Sequence, residues 1–278
     1  MDKKFWIDIK ENNFALPPGA SAPALTEELF TYLGSTDPEL RDNIAYEIFA
    51  NWLDQQVYAP DQLRSLILVL ILNLHEGLGE RETDSVFLRS FSALCLAEII
   101  HHDGTHPFLD KEELLDILAR SLEYLEGEQD PRGYVAVKGW AHALAHTADL
   151  LYVLADDPRL GRDEMARILD GVRSKLVRPT DWTYVHGEDE RLVRAVTAVF
   201  ARNLLDQDTL AAWLNSFASP AAGSWQSSFE DDSLQNAYFN SRLFLKSLYL
   251  KVSAPDSPEG STSLLPSIST AIQAFRQF

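Results

Sequence analysis

Five early-helix positions, Arg41, Arg89, His142, Arg194 and Arg242, recur at spacings of 48, 53, 52 and 48 residues. Two residues beyond each stand Asn43, Phe91, Leu144, Val196 and Phe244, apolar in four of the five. A near-constant period of this length, with room for one helix pair per unit, constrains the chain more than any other feature. A single pair cannot bury both of its apolar stripes, but a stacked neighbour covers the remainder. The expected fold is all-α, a HEAT-like α-solenoid (α/α superhelix) of about five helix pairs. A closed α/α toroid is the alternative that the same alternation allows.

Helical periodicity dominates the whole chain, and alternating strand patterns with hairpin turns are absent. The pattern predicts helices near 25–33, 37–55, 61–75, 84–102, 111–126, 136–155, 162–176, 188–205, 207–217, 232–252 and 263–276. Punctuation supports these bounds: Asp37-Pro38 opens a helix, Asp103-Gly104 closes one, and Ser219–Ser228 and Ala254–Ser263 are loop-like. The expected organisation is one helical-repeat domain over 1–278. Residues 1–35 form an N-terminal cap, 36–254 the stacked pairs, and 255–278 a helix that completes the last pair.

Charge and cysteine content narrow the function. A net charge of −18 opposes a phosphate backbone, whose binding depends on Lys and Arg replacing counterions, so no nucleic acid is expected. Cys95 is the only cysteine, which excludes an intrachain disulfide and thiolate zinc fingers; in the apolar run Ala93–Leu96 it reads as a small hydrophobe. Met1–Lys10 lacks a signal-peptide apolar core, and Leu66–Leu72 is far shorter than the roughly 20 residues of a membrane span. The expectation is a cytoplasmic protein with no membrane partner. No Gly-rich phosphate loop or nucleophile elbow is present.

The most distinctive stretch is Asp130-Pro-Arg-Gly-Tyr134 followed by Lys138-Gly-Trp-Ala-His-Ala-Leu-Ala-His-Thr-Ala-Asp-Leu-Leu151. On a continuous helix, Trp140, Leu144, Leu151 and Leu154 face the core, and Lys138, His142, His146 and Asp149 gather opposite. His142 and His146, four apart, would lie about 5–6 Å apart at Cβ, with Asp149 one turn on. Two His and a carboxylate form an accepted zinc set, so a divalent metal on His142, His146 and Asp149 is one reading, although no cofactor is required. The bland reading is a solvated polar face. Between them lies a groove that binds a protein, a peptide or a small polar ligand.

In the repeat register, His146 aligns with Ala45, Ala93, Ala198 and Lys246, and Asp149 with Ile48, Leu96, Ala201 and Tyr249. The middle unit thus turns polar where its neighbours are mostly apolar. The next unit opens Trp182-Thr-Tyr-Val-His-Gly-Glu-Asp-Glu-Arg191. Its acids suit the positive end of a helix dipole. Stacking would also carry His186 and Glu188 toward His142, with Arg132 or Lys138 pairing Glu188, Asp189 or Glu190, inside walls of Tyr134, Trp182 and Tyr184. The expected groove therefore comprises Arg132, Tyr134, Lys138, His142, His146, Asp149, Trp182, His186 and Glu188. A binding or scaffolding module is the leading reading. A metal-dependent hydrolase with Glu188 as base is the alternative, and an α/α-ring enzyme acting through Asp189 and Glu190 is a third. His101, His102 and His106 read as helix-end residues.

The run Arg132-Gly-Tyr … Lys138-Gly-Trp-Ala-His-Ala-Leu-Ala-His-Thr-Ala-Asp-Leu-Leu resembles the central signature of an uncharacterised bacterial family, a domain of unknown function. Thr147 stands where many members carry Gly. The stretches Gly187-Glu-Asp-Glu-Arg-Leu192 and Asn240-Ser-Arg-Leu-Phe-Leu-Lys-Ser-Leu-Tyr249 look like the same family. The resemblance implies a bacterial cytosolic helical-repeat protein and supplies no activity.

Overall fold

The computed structural model describes residues 1–221 and 223–275. Its helices begin where the chain supplies caps. Asp2 accepts from the Phe5 N–H to start α1 (Lys3–Glu11), and Asp110 and Glu113 cap one another's backbone to start α6 (Lys111–Gly127). Proline occupies the first turn of α2 (Ala22–Tyr32) and α4 (Pro60–His75), where its missing N–H costs nothing. A helical stretch then covers Glu39–Asp54, π-helical over Glu39–Tyr46 and α-helical over Glu47–Asp54 (α3). The 21-residue α5 (Ser85–Thr105) is apolar on nearly every side and buried on most of them, against α3 and α4.

After α6 come two short strands, β1 (Tyr134–Val135) and β2 (Gly139–Trp140), paired antiparallel, then α7 (Ala143–Asp156). The chain continues through α8 (Arg162–Val177), α9 (Glu188–Ala201), α10 (Gln207–Asn215), α11 (Asp232–Ser253) and α12 (Leu265–Gln273), with short 3-10 turns between the last three. The all-α expectation holds, with the β1–β2 hairpin as the only strands among the described residues. None of the described helices is long and apolar enough to cross a membrane.

Two compact units divide the chain, Met1–Leu150 and Leu151–Phe278, with the boundary inside α7. In the first unit the recurring arginines share one task. Arg41 and Arg89 are both fully buried. Arg41 Nη1 donates to the Ser35 carbonyl just after α2, at 2.8 Å, and Arg89 Nη1 to the Glu76 and Gly77 carbonyls just after α4, both at 2.9 Å. Each guanidinium thus satisfies carbonyls that the end of the preceding helix leaves without intrahelical partners. In the second unit, by contrast, Arg194 lies at the surface over the Tyr152 ring, 4.7 Å from its centroid.

Several expected bounds move. A first helix, α1, occupies the segment read only as charged and aromatic, because Trp6 and Ile9 supply a buried face. Asp103-Gly104 does not end α5, which runs on to Thr105; Asp103 is buried and accepts from the Phe108 and Leu109 N–H groups instead. The 188–205 helix stops at Ala201, and α12 spans Leu265–Gln273, with Arg276 of the expected helix outside the described residues. The largest correction concerns 136–155. Val137, Gly139 and His142 all have positive φ (71°, 81° and 51°), which no α-helix accommodates, so the first third of that segment is a hairpin.

Candidate functional site

The distinctive stretch begins with a tight ionic turn. Asp130 is buried and takes a two-pronged bond from Arg132 (Nε to Oδ1 2.7 Å, Nη2 to Oδ2 2.6 Å), and Arg132 also donates to the Thr83 carbonyl. The Asp130 carboxylate holds the Arg132 guanidinium above its ordinary pKa. Asp157-Pro158-Arg159 repeats the same residues and the same two-pronged pairing in the second unit. The Arg132 turn hands the chain to the hairpin, whose register places Tyr134 opposite Trp140 and Val135 opposite Gly139. Val135, Ala141 and Ala143 pack on Val86 and Phe87 at the start of α5, which fixes the hairpin from below. Gly139 is required twice over: its φ is positive, and an added Cβ would stand 3.0 Å from both Arg41 Nη2 and Pro38 Cβ.

Above this base the aromatic rings form a shelf. Tyr134 and Trp140 meet edge to face at 5.0 Å, and the His142 imidazole stacks on Trp140 at 4.3 Å. Tyr134 is 51% exposed and Trp140 40% exposed, so Trp140 is not the core residue that a continuous helix implied. Leu144, Leu151 and Leu154 do occupy the core. Lys138 lies on the hairpin rather than on a helix face and pairs with Asp84 at 2.6 Å. Asp130 and Asp84 thus meet the charges of Arg132 and Lys138 within the first unit.

His142 caps α7, its carbonyl accepting from the His146 N–H at 2.9 Å. His146 is only 8% exposed; its ring lies 5.8 Å from that of His142 and edge-on to Phe91 at 5.0 Å. Ser90 of α5 is its hydrogen-bond neighbour. The Ser90 hydroxyl donates its one proton to the Ala141 carbonyl and lies 2.8 Å from His146 Nδ1. With that proton committed to Ala141, Ser90 Oγ is placed to accept from a protonated His146 Nδ1.

Behind His146 lies a second layer. Phe91 and Phe87 sandwich the Arg41 guanidinium, at 4.8 and 4.3 Å from their ring centroids. Burial lowers the Arg41 pKa against the pull of Asp42. Tyr46 donates to Glu98 at 2.6 Å and meets Phe91 edge to face. Burial, with Glu98 and more distantly Asp149 adding negative charge, pushes its phenol far above the ordinary range. Asp149 is half-buried and close enough to Tyr46 for its charge to be felt. Cys95 is fully buried and its thiol is pushed up by burial, in keeping with an inert core residue.

The other expected site residues, Trp182, His186 and Glu188, belong to the second unit. Glu188 and Asp189 are buried in the first turn of α9, while Glu190 is exposed. Glu188 accepts from the His186 backbone N–H at 2.8 Å, and the His186 ring lies 3.9 Å away. Burial beside Glu188 raises the Tyr184 phenol. Asn240 of α11 holds this loop, accepting from the Tyr184 N–H and donating to the Trp182 carbonyl. Among the described residues, no group of three or more His, Cys, Asp or Glu side chains is placed to hold a metal ion.

Ser90, Tyr46 and Glu98 were not singled out from sequence, and Phe91 was read only as an apolar position of the repeat register. One signal was available for Ser90: a hydroxyl inside a helix apolar on all sides must find a partner. The π-helical turn that brings in Tyr46 has no comparable signature.

Residues 74–250 match the model of the family described as "Protein of unknown function (DUF2785)". Neither the curated proteins nor the solved structures contain a match to the chain.

Proposed function

The chain belongs to the DUF2785 family, and we propose that it is a binding module whose ligand lies on the shelf of Tyr134, Trp140 and His142. The ligand class is a peptide or small polar molecule that presents a flat or cationic group to the rings. The exposure of two large aromatic side chains on a braced hairpin carries this reading. Soluble proteins seldom leave such rings rigid and open to water without use. Stacked aromatic faces attract cations and planar groups.

The test is a thermal-shift screen of free amino acids, dipeptides and nucleosides at concentrations up to about 1 mM, where an interaction of about 4 kcal/mol registers. Hits that stabilise the wild type and lose that effect in Trp140→Ala and His142→Ala are expected. Hits that stabilise all three proteins equally, or a screen with no hits, would refute the shelf as the binding surface.

A further inference from the structure

A second surface of the first unit is lined by none of the hairpin residues. Helix α4 buries Leu63, Leu66, Ile67, Leu70 and Leu74, yet its outer face is not polar. Leu68 is 64% exposed and Leu72 is 71% exposed, one turn apart, with Val69 exposed beside them. This strip runs into a groove of about 530 Å³ whose walls include Phe30 and Tyr32 of α2, Val69 and Asn73 of α4, and Leu88 of α5. A helix that is already amphipathic on its core side gains nothing in stability from two leucines in water.

Charge identifies the occupant. Exposed carboxylates mark both ends of the strip, Asp61 and Glu76, about 22 Å apart at about 1.5 Å per residue. Glu27 stands on the groove's lip, and neither Lys nor Arg lines it. The nearest cation on α4, Arg64, is held by Glu113 at 2.7 Å and by the Phe108 carbonyl, and reaches Asp61 only at 3.3 Å, which leaves the Asp61 side chain 97% exposed. A second copy of this chain is disfavoured, since a twofold contact would set Asp61 and Glu76 against carboxylates of the same strip. An anionic lipid surface is disfavoured by the same charges and by the net −18.

We propose that this groove and strip dock an amphipathic helix of a partner protein, with leucine-like residues at three- and four-residue spacing and Lys or Arg toward both ends. Its apolar residues cover Leu68, Val69 and Leu72 and enter the groove, and its cations meet Asp61, Glu76 and Glu27.

The test uses the full chain and a fluorescent helical peptide of about 18 residues, long enough to span the strip. The peptide carries Leu on one face and Lys at both ends, and a control peptide replaces every Lys with Glu. Fluorescence anisotropy should give micromolar binding of the Lys peptide that weakens at least tenfold in a Leu68→Asp, Leu72→Asp protein and with the Glu peptide. Circular dichroism checks that the variant folds; should it fail to, Glu76→Lys replaces it and is expected to weaken the Lys peptide severalfold. Undiminished binding by the altered protein, or equal binding of the two peptides, overturns the proposal. A Leu72-dependent dimer in sedimentation overturns it in favour of a second copy. Leu72-dependent binding to phosphatidylcholine–phosphatidylserine vesicles overturns it in favour of a membrane.

Discussion

Replacing Arg89 with alanine tests how the first unit is held together. Its buried guanidinium donates to both Glu128 oxygens (2.6 and 3.1 Å), to the carbonyls of Glu76 and Gly77, and to Ser85 Oγ at 2.8 Å. Burial opposes the charge on Arg89, but the Glu128 carboxylate outweighs it and raises the pKa. Removing one member of a buried ion pair costs about 3–5 kcal/mol, because the other charge stays in the interior. The carbonyls at the end of α4 lie near the surface, so their loss adds only about 1 kcal/mol. A total of about 4–6 kcal/mol is a large share of the 5–15 kcal/mol typical of a folded domain. At about 2–4 °C per kcal/mol for large domains, Tm should fall by roughly 10–20 °C.

Urea unfolding followed by circular dichroism measures the loss, and a cycle with Glu128→Gln separates its parts. Because the retained carboxylate causes most of the damage, the double variant should recover about 1–3 kcal/mol relative to Arg89→Ala alone. A loss below about 1 kcal/mol for Arg89→Ala, or a further loss on adding Glu128→Gln, would refute the reasoning.

Gly139→Ala should cost more than Gly187→Ala. Both pay about 1–2 kcal/mol for a positive φ, but only Gly139 also presses on Arg41 and Pro38, whereas nothing lies within 4 Å of a Cβ at Gly187; paired urea titrations give the comparison. Val137→Gly should stabilise the chain by about 0.5–1 kcal/mol, since this 91% exposed β-branched residue sits at a φ of 71°; an unchanged or lower Tm contradicts that. Stability should fall as pH drops below the ordinary carboxylate range of about 4. For Asp157, burial works to raise the pKa, but the bonds from Arg159 bring it below its unfolded value. The stabilisation it provides is therefore present above the unfolded pKa and is lost as pH falls through the folded one. Asp157→Asn should flatten that acid limb in Tm measured from pH 5 to about 2.

Much of the helical framework was legible because capping chemistry and 3.6-residue periodicity are local. Asp110 with Glu113, Pro60, and the apolar faces of α4 and α8 each declare their helix without tertiary help. The site was less legible for the opposite reason. His142 and His146 do lie together, but His142 ends a hairpin rather than continuing a helix, and a hairpin of two residues per strand is too short to alternate. It exists because Ala141 and Ala143 pack on Phe87 and because Ser90 holds the Ala141 carbonyl, contacts about 50 residues away in sequence. Asp130-Pro-Arg and Asp157-Pro-Arg were in plain view, and only the structure gives that recurrence its ionic turn.

The π-helical stretch Glu39–Tyr46 decides which of its side chains reach α5. Arg41 and Tyr46 are five apart, a spacing that an α-helix would send to different sides and that i→i+5 bonding turns toward the same helix, α5. The wider turn shifts the buried position from two residues after the arginine to three, so Ile44 is buried where α5 buries Phe91, and Asn43 faces solvent. The number of residues in this segment matters to these contacts as much as their identity. Deleting one would restore ordinary helix and leave every side chain chemically intact, yet either Arg41 would lose its aromatic sandwich or Tyr46 would swing away from Glu98.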